Sequence, residues 1–461
     1  MSSQQALQDK FGRNIVFAMK VRLQDDPDPR GPLMTVVSEA GALVSEFELE
    51  CINPEINFAS YQMMVFTTGD EQMQQALDNI EKLEGVIVDE VIDLAMESHR
   101  GGACEMVSSS GIESNTDLRI VYTPGVARVC KAIQAEPELA REYTGIHNTV
   151  AVVSNGTAIL GLGDIGCVAG MPVMEGKSAI FAEFTKISAI PILVDTKDPD
   201  EFVEAIVKIA PSFGAIQVED VAAPECFKIT RELDRRLDIP VMHDDQHGTA
   251  TIVLAGLYSA LKMTNKKIEN LTCAISGAGA AATAITELLQ MAGIKDVILT
   301  DSKGVVCKDR TDLNDEKRAL AERTNKQNIS GSLADAMKGA DLFIGCSRPN
   351  LVSQEMVKSM NHEPIVFALA NPVSEISRED AIAAGAAIYA DGREMNNAIA
   401  YPGIFRGALD SCSDRIDFAM MNAAANKLAE IVPQGQLLPE MMDPATHEAV
   451  AEAVMQAVEN N

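Results

Sequence analysis

The sequence of 461 residues lacks several features that define particular classes of protein. It has no run of about twenty apolar residues, so no membrane-spanning helix is expected. It also has no basic-then-apolar leader at its start, so no signal peptide is expected. Its nine cysteines include no Cys-x-x-Cys pair, and a disulfide framework is not expected in so long a chain. We therefore expect a cytoplasmic protein with reduced thiols.

Positive charge is scarce as well. There are 38 Lys and Arg residues against 67 Asp and Glu residues, which gives a formal net charge of −29. Nucleic acids and anionic membranes would be repelled by such a chain, so neither is expected as a partner. The length exceeds what a single hydrophobic core supports, and we expect two or three domains.

Residues 1–95 are predicted to form the first domain. Strand-like segments alternate with two helical segments in the order βαββαβ, at residues 15–21, 31–40, 43–51, 61–67, 71–83 and 85–91. Gly41 is placed to end the first helix. This order is the split βαβ, or ferredoxin-like, unit. It resembles an ACT domain, a regulatory module that would bind a small-molecule effector, although a packing domain without a ligand has the same pattern.

The rest of the chain has an α/β pattern. Residues 95–115 are polar and glycine-bearing, as in a linker. Strand-like and helix-like segments then alternate to about residue 410, which indicates parallel sheets covered by helices. We predict two α/β domains, at 96–247 and 248–412, and C-terminal helices at 413–461 with a break near Pro433.

Two pairs of acidic residues follow two short apolar runs. Ala215–Val218 leads into Glu219 and Asp220, and residues 239–242 lead, through His243, into Asp244 and Asp245. A charge at the end of a buried strand is costly unless it has a partner. A set of oxygen ligands favours Mg²⁺ or Mn²⁺. His243 and His247 flank the second pair, so zinc is the alternative metal.

A glycine turn between a strand and a helix predicts a dinucleotide site of the Rossmann type. The turn and the start of the helix comprise Gly277, Ala278, Gly279, Ala280 and Ala281. Such a turn lets backbone N–H groups approach a pyrophosphate. Asp301 ends the next predicted strand, at residues 297–301, and would accept hydrogen bonds from a ribose, which favours NAD. Ser302 and Lys303 could instead hold the 2′-phosphate of NADP.

Lys177 belongs to a Gly-Lys-Ser sequence that lacks the earlier glycine of a nucleotide-binding P-loop. It is predicted to precede an apolar helix at residues 178–187. A lysine buried there, beside a dication, would have a lowered pKa and could act as a base. The glycine-rich stretch Leu160–Gly166 is predicted to shape a cleft, with a nucleotide loop as the alternative.

Several motifs in a fixed order resemble those of malic enzymes of the short bacterial type. The motifs begin at Tyr122, Leu160, Gly176, Val218, His243, Ala370 and Asn396. In the same order, their sequences are Tyr-Thr-Pro-Gly-Val-Ala, Leu-Gly-Leu-Gly-Asp-Ile-Gly, Gly-Lys, Val-Glu-Asp, His-Asp-Asp-Gln-His-Gly-Thr-Ala, Ala-Asn-Pro and Asn-Asn-Ala-Ile-Ala-Tyr-Pro-Gly. The resemblance implies that L-malate is oxidised and decarboxylated to pyruvate and CO₂. The cofactors implied are NAD or NADP and Mg²⁺ or Mn²⁺, and oxaloacetate would also be decarboxylated. Residues 96–247 would carry substrate and metal, and residues 248–412 the cofactor.

The resemblance also implies roles for single residues, which we carry over by position. The implied metal ligands are Glu219, Asp220 and Asp245, with Asp244 orienting Lys177 or the metal shell. Lys177 would be the base for the C2 hydroxyl, and Tyr122 the acid that protonates C3. Asn371 and Asn397 would grip the substrate, with Asn371 also near the cofactor. A homodimer or higher homo-oligomer is implied.

One position departs from the larger members of that family. Where they have an arginine for a substrate carboxylate, this chain has Ala158, and Arg119 and Arg406 are candidate replacements. Two rival functions stay open at this point. One is a malolactic enzyme, which retains NAD and releases lactate. The other is a ligand-sensing protein whose dehydrogenase half is inert.

Overall fold

The computed structural model describes residues 15–24, 27–53, 57–159, 162–371 and 373–460. The chain divides into two compact units, Met1–Ala103 and Cys104–Asn461. The polar start of the chain and three motif residues noted above, Leu160, Gly161 and Pro372, lie outside the described residues. Among the helices that are described, none is both long enough and apolar enough to cross a bilayer.

The first unit contains an antiparallel sheet of four strands in the order β2-β3-β1-β4. Along the chain the elements are β1 Ile15–Gln24, helix Arg30–Glu39, β2 Leu43–Asn53, β3 Phe58–Thr67, helix Asp70–Ile80 and β4 Val86–Asp93. The predicted βαββαβ order is therefore confirmed. Gly41 follows the first helix with a φ of 80°, a left-handed conformation that glycine adopts without steric cost. A short helix, Leu94–Ser98, follows β4, and residues 99–114 form neither helix nor strand.

The second unit contains two sheets, and the first is fully parallel. Its strand order is β6-β5-β7-β8. The strands are β5 Thr149–Ser154, β6 Ser188–Leu193, β7 Ala215–Val218 and β8 Val241–His243. Val150, Val152, Ile216 and Val218 are all fully buried. Because both faces of β5 and β7 are covered, these strands are continuous apolar runs and do not alternate with polar residues.

The second sheet has the order β11-β10-β9-β12-β13-β14. Its strands are β9 Thr272–Ser276, β10 Asp296–Asp301, β11 Gly304–Val305, β12 Leu342–Gly345, β13 Ile365–Ala368 and β14 Ile388–Asp391. All neighbours are parallel except β10 and β11. The chain runs outward from β9 in one direction and then from β12 in the other. This reversal is typical of a doubly wound dinucleotide fold, and it confirms the predicted Rossmann-type architecture.

The described residues of the second unit also form α-helices. They are Asn115–Val121, Val126–Ala135, Ala140–Tyr143, Met171–Thr185, Pro199–Ile209, Glu225–Arg236, Thr249–Thr264, Ala280–Met291, Asp315–Arg323, Leu333–Met337, Gln354–Lys358, Arg378–Ala383, Tyr401–Asp410, Phe418–Ile431 and Pro444–Glu459.

The helix that carries Lys177 begins seven residues earlier than predicted. It spans Met171–Thr185, so Lys177 lies in its middle and does not precede it. Pro172 occupies the first turn, where its missing N–H has no helical partner to lose. A glycine inside a helix costs about 1 kcal/mol relative to alanine, so Gly176 weakens the local preference for a helix here. Buried Met174 and Phe181 on either side of it supply the packing that outweighs this cost.

The C-terminal helix packs very closely on the helix Tyr401–Asp410. Gly403 and Gly407 lie one turn apart at this contact. A Cβ atom on Gly403 would stand 2.7 Å from Val450 Cβ, and one on Gly407 would stand 2.6 Å from the Ala451 carbonyl oxygen. Only hydrogen atoms at these two positions allow Pro444–Glu459 to approach its partner helix.

We expect Gly407→Ala to lower the free energy of unfolding by about 1–3 kcal/mol, because the added methyl group meets backbone that cannot move aside. Thermal and denaturant unfolding would measure it. Gly176→Ala is the matched control, since a Cβ there has nothing within 4 Å and a helical alanine is favoured over glycine. Equal stability of the two variants would contradict the close helix contact.

Candidate active site

Two neighbouring strands of the first sheet deliver acidic side chains to one edge. β7 ends at Val218 and is followed by Glu219 and Asp220. β8 is followed by Asp244 and Asp245, which begin a single π-helical turn, Asp244–Gly248. β7 and β8 are adjacent and parallel, so their carboxyl ends lie side by side, as the sequence pattern implied.

Three of the carboxylates have the spacing of a cation site. One oxygen each from Glu219, Asp220 and Asp245 lie within 4.8 Å of one another, and the Asp220 N–H donates to Asp245 Oδ2 at 3.0 Å. Glu219 and Asp220 are buried, whereas the Asp245 side chain is 38% exposed. Burial raises the pKa of Glu219 well above its ordinary value, and the nearby Lys177 offsets this only in part. These residues therefore fit a hard cation such as Mg²⁺ or Mn²⁺.

Lys177 lies between two of the acids. Its Nζ is 3.1 Å from Glu219 Oε1 and forms a short hydrogen bond to Asp244 Oδ2. Burial lowers the pKa of the Lys177 ammonium, but attraction by Asp244 and Glu219 outweighs burial, and the pKa lies well above its ordinary value. The lowered pKa expected from the sequence presupposes a neighbouring dication, and it stays a prediction. A dication that shared the carboxylates would act in the opposite direction.

Asn397 and Tyr401 reach this cluster from a distant part of the chain. Asn397 Nδ2 donates to Asp244 Oδ2 at 2.8 Å. The buried Tyr401 ring lies 4.9 Å from Lys177 Nζ, and its hydroxyl donates to the Lys177 carbonyl oxygen at 3.4 Å. Tyr401 was not among the predicted residues, although it belongs to the same motif as Asn397 and begins the next helix.

Gln217 is a second residue that the sequence prediction missed. Its Nε2 donates to Glu219 Oε2 at 2.7 Å, and its side chain is fully buried. The signal was present: a polar residue inside an apolar strand, two positions before an acid, must share that acid's face of the sheet. Gln217 fixes one oxygen of Glu219 and leaves the other toward Lys177.

Tyr122 and the candidate arginines are not brought to the acids within the described residues. Tyr122 follows the helix Asn115–Val121 and is 65% exposed. Arg406 donates to Asn148 Oδ1 at 2.6 Å and pairs with Asp410, so it is already bound within the fold. Arg119 is exposed. The assignment of either arginine to the role of the arginine missing at Ala158 stays a prediction.

The two histidines beside the acids are buried neighbours of the site. His243 Nδ1 is 3.8 Å from Asp245 Oδ2, and the His243 N–H donates to His247 Nδ1 at 3.3 Å. Burial is the main cause that lowers the pKa of each imidazole to about 4. Among the described residues, the group with metal-ligand spacing contains carboxylates and no histidine, which favours the oxygen-preferring cations over zinc.

The predicted dinucleotide turn opens into a cavity of about 1090 Å³. Gly277, Ala278 and Gly279 line it, and Ala280 and Ala281 begin the helix whose N-terminus faces that turn. Gly277 has a φ of 128°, and a Cβ there would stand 3.0 Å from the Cys346 carbonyl oxygen. The backbone of this turn thus fits the close approach of a pyrophosphate.

Asp301 lines the same cavity but already has several partners. Its carboxylate accepts from Arg310 Nη1 at 2.8 Å, Lys317 Nζ at 2.7 Å and the Lys303 N–H at 2.9 Å. Burial opposes ionisation, yet these donors prevail and lower the pKa of Asp301 to about 2. Arg310 also pairs with Asp312, as does Lys303 Nζ. The positive charges here are therefore balanced largely by acids of the chain itself.

Asn371 follows β13 and is exposed. A Cβ on Gly392 would stand 2.7 Å from Asn371 Nδ2, so glycine at 392 leaves room for this amide at the carboxyl edge of the second sheet.

Comparison with known proteins agrees with this geometry. Residues 102–234 match the N-terminal domain of malic enzymes, and residues 246–459 match the malic enzyme NAD binding domain. The NAD-dependent malic enzyme of Geobacillus stearothermophilus is 44% identical over 84% of this chain and 83% of its own length. The NAD-dependent malic enzyme 1 of Bacillus subtilis is 39% identical over 97% of this chain and 98% of its own length.

A solved structure shows the same fold. The NAD-dependent malic enzyme of Thermotoga maritima superposes with a TM-score of 0.76 and 41% identity, covering 78% of this chain and 98% of the other. The two matched family domains span well over half of the sequence. The resemblance seen in the motifs is thus confirmed, and the chain belongs to the malic enzyme family.

Proposed function

We propose that this chain catalyses the oxidative decarboxylation of L-malate to pyruvate and CO₂ with reduction of NAD⁺ in the presence of Mg²⁺ or Mn²⁺. The observation that carries the proposal is Lys177, which lies between Asp244 and Glu219 beside carboxylates with cation spacing. Oxidation of a 2-hydroxy acid needs an acceptor for the hydroxyl proton. Decarboxylation needs stabilised negative charge at the same oxygen. This edge of the sheet offers groups for both.

Lys177 in its neutral form accepts the C2 hydroxyl proton as the C2 hydride leaves. Asp244, held by Asn397, keeps Nζ in place and balances the ammonium that forms. Glu219, Asp220 and Asp245 would hold the divalent cation, which would supply Lewis-acid chemistry, and the turn at Gly277 would hold the nicotinamide cofactor, which would supply the hydride acceptor. Asn371 and Asn397 present amides to the substrate. The same arrangement decarboxylates oxaloacetate.

Tyr122 is the proposed acid that protonates C3 after CO₂ leaves, and we assign it to the site of a second copy. In the isolated chain no residue from 104 to 149 is buried. Large apolar side chains in this stretch are open to solvent, including Met106 at 93% and Ile120 at 66%. An apolar surface of this kind is normally covered by a partner. A homodimer or higher homo-oligomer would cover it and carry Tyr122 toward a neighbouring Lys177.

NAD is the preferred cofactor in this proposal. Asp301 lines the cavity as an ionised carboxylate at neutral pH, and its negative charge would repel a 2′-phosphate. Lys303 and Arg310, which could attract that phosphate, already pair with Asp312.

The βαββαβ unit is proposed to bind a small-molecule effector. The nine free cysteines suit the reducing cytoplasm.

The direct test of the activity is an initial-rate assay of the full chain with L-malate and Mn²⁺. We expect equal amounts of NADH and pyruvate, a slower reaction with NADP⁺, and loss of the rate with a chelator that excess Mn²⁺ restores. Lactate without net NADH would identify a malolactic enzyme. No malate-dependent reduction of either cofactor would identify an inert dehydrogenase half.

Asp245→Asn tests the metal ligands. We expect the dissociation constant for Mn²⁺ to rise more than about tenfold, because the change removes a charged oxygen from a hard-cation site. Titration calorimetry or Mn²⁺ electron paramagnetic resonance would measure it, and oxaloacetate decarboxylation should slow in parallel. Asp315→Asn, an exposed acid in the cofactor-binding half of the unit, is the control. Unchanged Mn²⁺ affinity in Asp245→Asn would remove Asp245 from the ligand set.

Mixing two inactive variants tests the position of Tyr122. Tyr122→Phe and Lys177→Ala should each lose malate oxidation as pure proteins. If Tyr122 acts on the neighbouring copy, unfolding and refolding them together creates mixed dimers in which one site has both native residues. Up to about a quarter of wild-type activity should then return, given random pairing in a symmetric dimer. A mixture that stays inactive, although mass spectrometry shows mixed dimers, would place Tyr122 in its own chain's site.

A further inference from the structure

Glu375 is a fully buried acid outside the acidic cluster. Its Oε1 accepts the Ser347 N–H at 3.1 Å, and its Oε2 accepts the Ala370 N–H at 3.1 Å. Each oxygen of one carboxylate thus serves a different loop, because Ser347 follows β12 and Ala370 follows β13.

The same contacts extend to a third strand. The Ser347 and Ser276 hydroxyls are hydrogen-bonded with their oxygens 2.6 Å apart, and Ser276 is the last residue of β9. β9, β12 and β13 are neighbours in the sheet. Glu375 and Ser347 therefore join the carboxyl ends of three adjacent strands, at the edge where dinucleotides bind in this fold.

The absence of a side chain at Gly345 leaves room for this carboxylate. Gly345 is the last residue of β12, and a Cβ there would overlap the carboxyl group of Glu375. Burial raises the pKa of Glu375, and the two backbone N–H groups oppose that rise. A buried acid is costly compared with an apolar side chain of similar size. The carboxylate offers something that an apolar residue cannot, which is two acceptors that face two loops at once.

The loop after β12 borders the cofactor cavity. Ser276, Cys346 and Ser347 line it together with Gly277. Asn371 comes directly after Ala370. A shift of the loop after β12 would change the width of the cavity where it faces the end of β9, and Glu375 ties this loop to the one after β13.

We infer that Glu375 is a positioning residue for the dinucleotide: its carboxylate holds the loops after β12 and β13 at the separation that the cofactor requires. Its buried side chain is not among the residues that line the cavity. Glutamine at this position would accept one N–H group and turn its amide N–H₂ toward the other, so one loop would lose its anchor.

The test compares Glu375→Gln with Glu379→Gln, an exposed glutamate four residues further on, in the full-length protein. Titration calorimetry gives the dissociation constants for NAD⁺ and Mn²⁺ separately. We expect Glu375→Gln to raise the constant for NAD⁺ by about tenfold or more, as a lost buried hydrogen bond would. The constant for Mn²⁺ should stay unchanged. The KM for NAD⁺ should rise more than kcat falls, and Glu379→Gln should match wild type.

An unchanged dissociation constant for NAD⁺ in Glu375→Gln would overturn the inference. So would an equal loss of Mn²⁺ affinity, because it would show a general structural role.

Hydrogen exchange on the wild-type protein adds a measurement that needs no variant. The Ser347 and Ala370 amides should exchange far more slowly than that of exposed Arg348, and equally fast exchange would also refute the carboxylate contacts. These readouts require no malate turnover, so they stay informative even if the proposed reaction fails.

Discussion

The ion cluster of Lys177, Asp244 and Glu219 is the constraint on which the rest of the site depends. Charges taken out of water must be compensated by neighbours at short range. The first sheet gathers several acids at one buried edge, and a single lysine cannot compensate them all. The surrounding contacts follow from this excess of negative charge. Asn397 donates to Asp244, Gln217 donates to Glu219, and the ring of Tyr401 lies against the ammonium.

Much of this arrangement follows from local sequence. Acids directly after short apolar runs identify strand ends, and parallel neighbours in an α/β pattern place such ends together. The glycine turn at Gly277 and the order of the βαββαβ unit could likewise be predicted from the sequence. These features share a small sequence separation between the residues involved. Each depends on residues within a few positions of one another, where spacing alone determines which way a side chain points.

Other features could not be predicted because they depend on packing or on contacts between distant segments. Tyr401 approaches Lys177 across 224 positions, and no periodic pattern encodes that approach. Without a dication, the two carboxylates that flank Lys177 raise its pKa, and one of them, Asp244, lies 67 positions away in the sequence. The start of its helix was misplaced because packing of Met174 and Phe181 outweighs the local preference of Gly176. Asp301 was correctly placed at a strand end, but its partners Arg310 and Lys317 lie in segments whose approach the sequence does not reveal.

The close contact of the last helix with Gly403 and Gly407 has a consequence for the order in which the protein is made. The helix Pro444–Glu459 supports the helix that begins at Tyr401, and Tyr401 in turn lies against Lys177. During synthesis, residues 444–459 leave the ribosome after every acid, amide and glycine of the active site. The N-terminal βαββαβ unit can be complete long before, since it is compact by itself. A nascent chain thus carries a folded N-terminal unit while its catalytic half still lacks the support on which Lys177 rests.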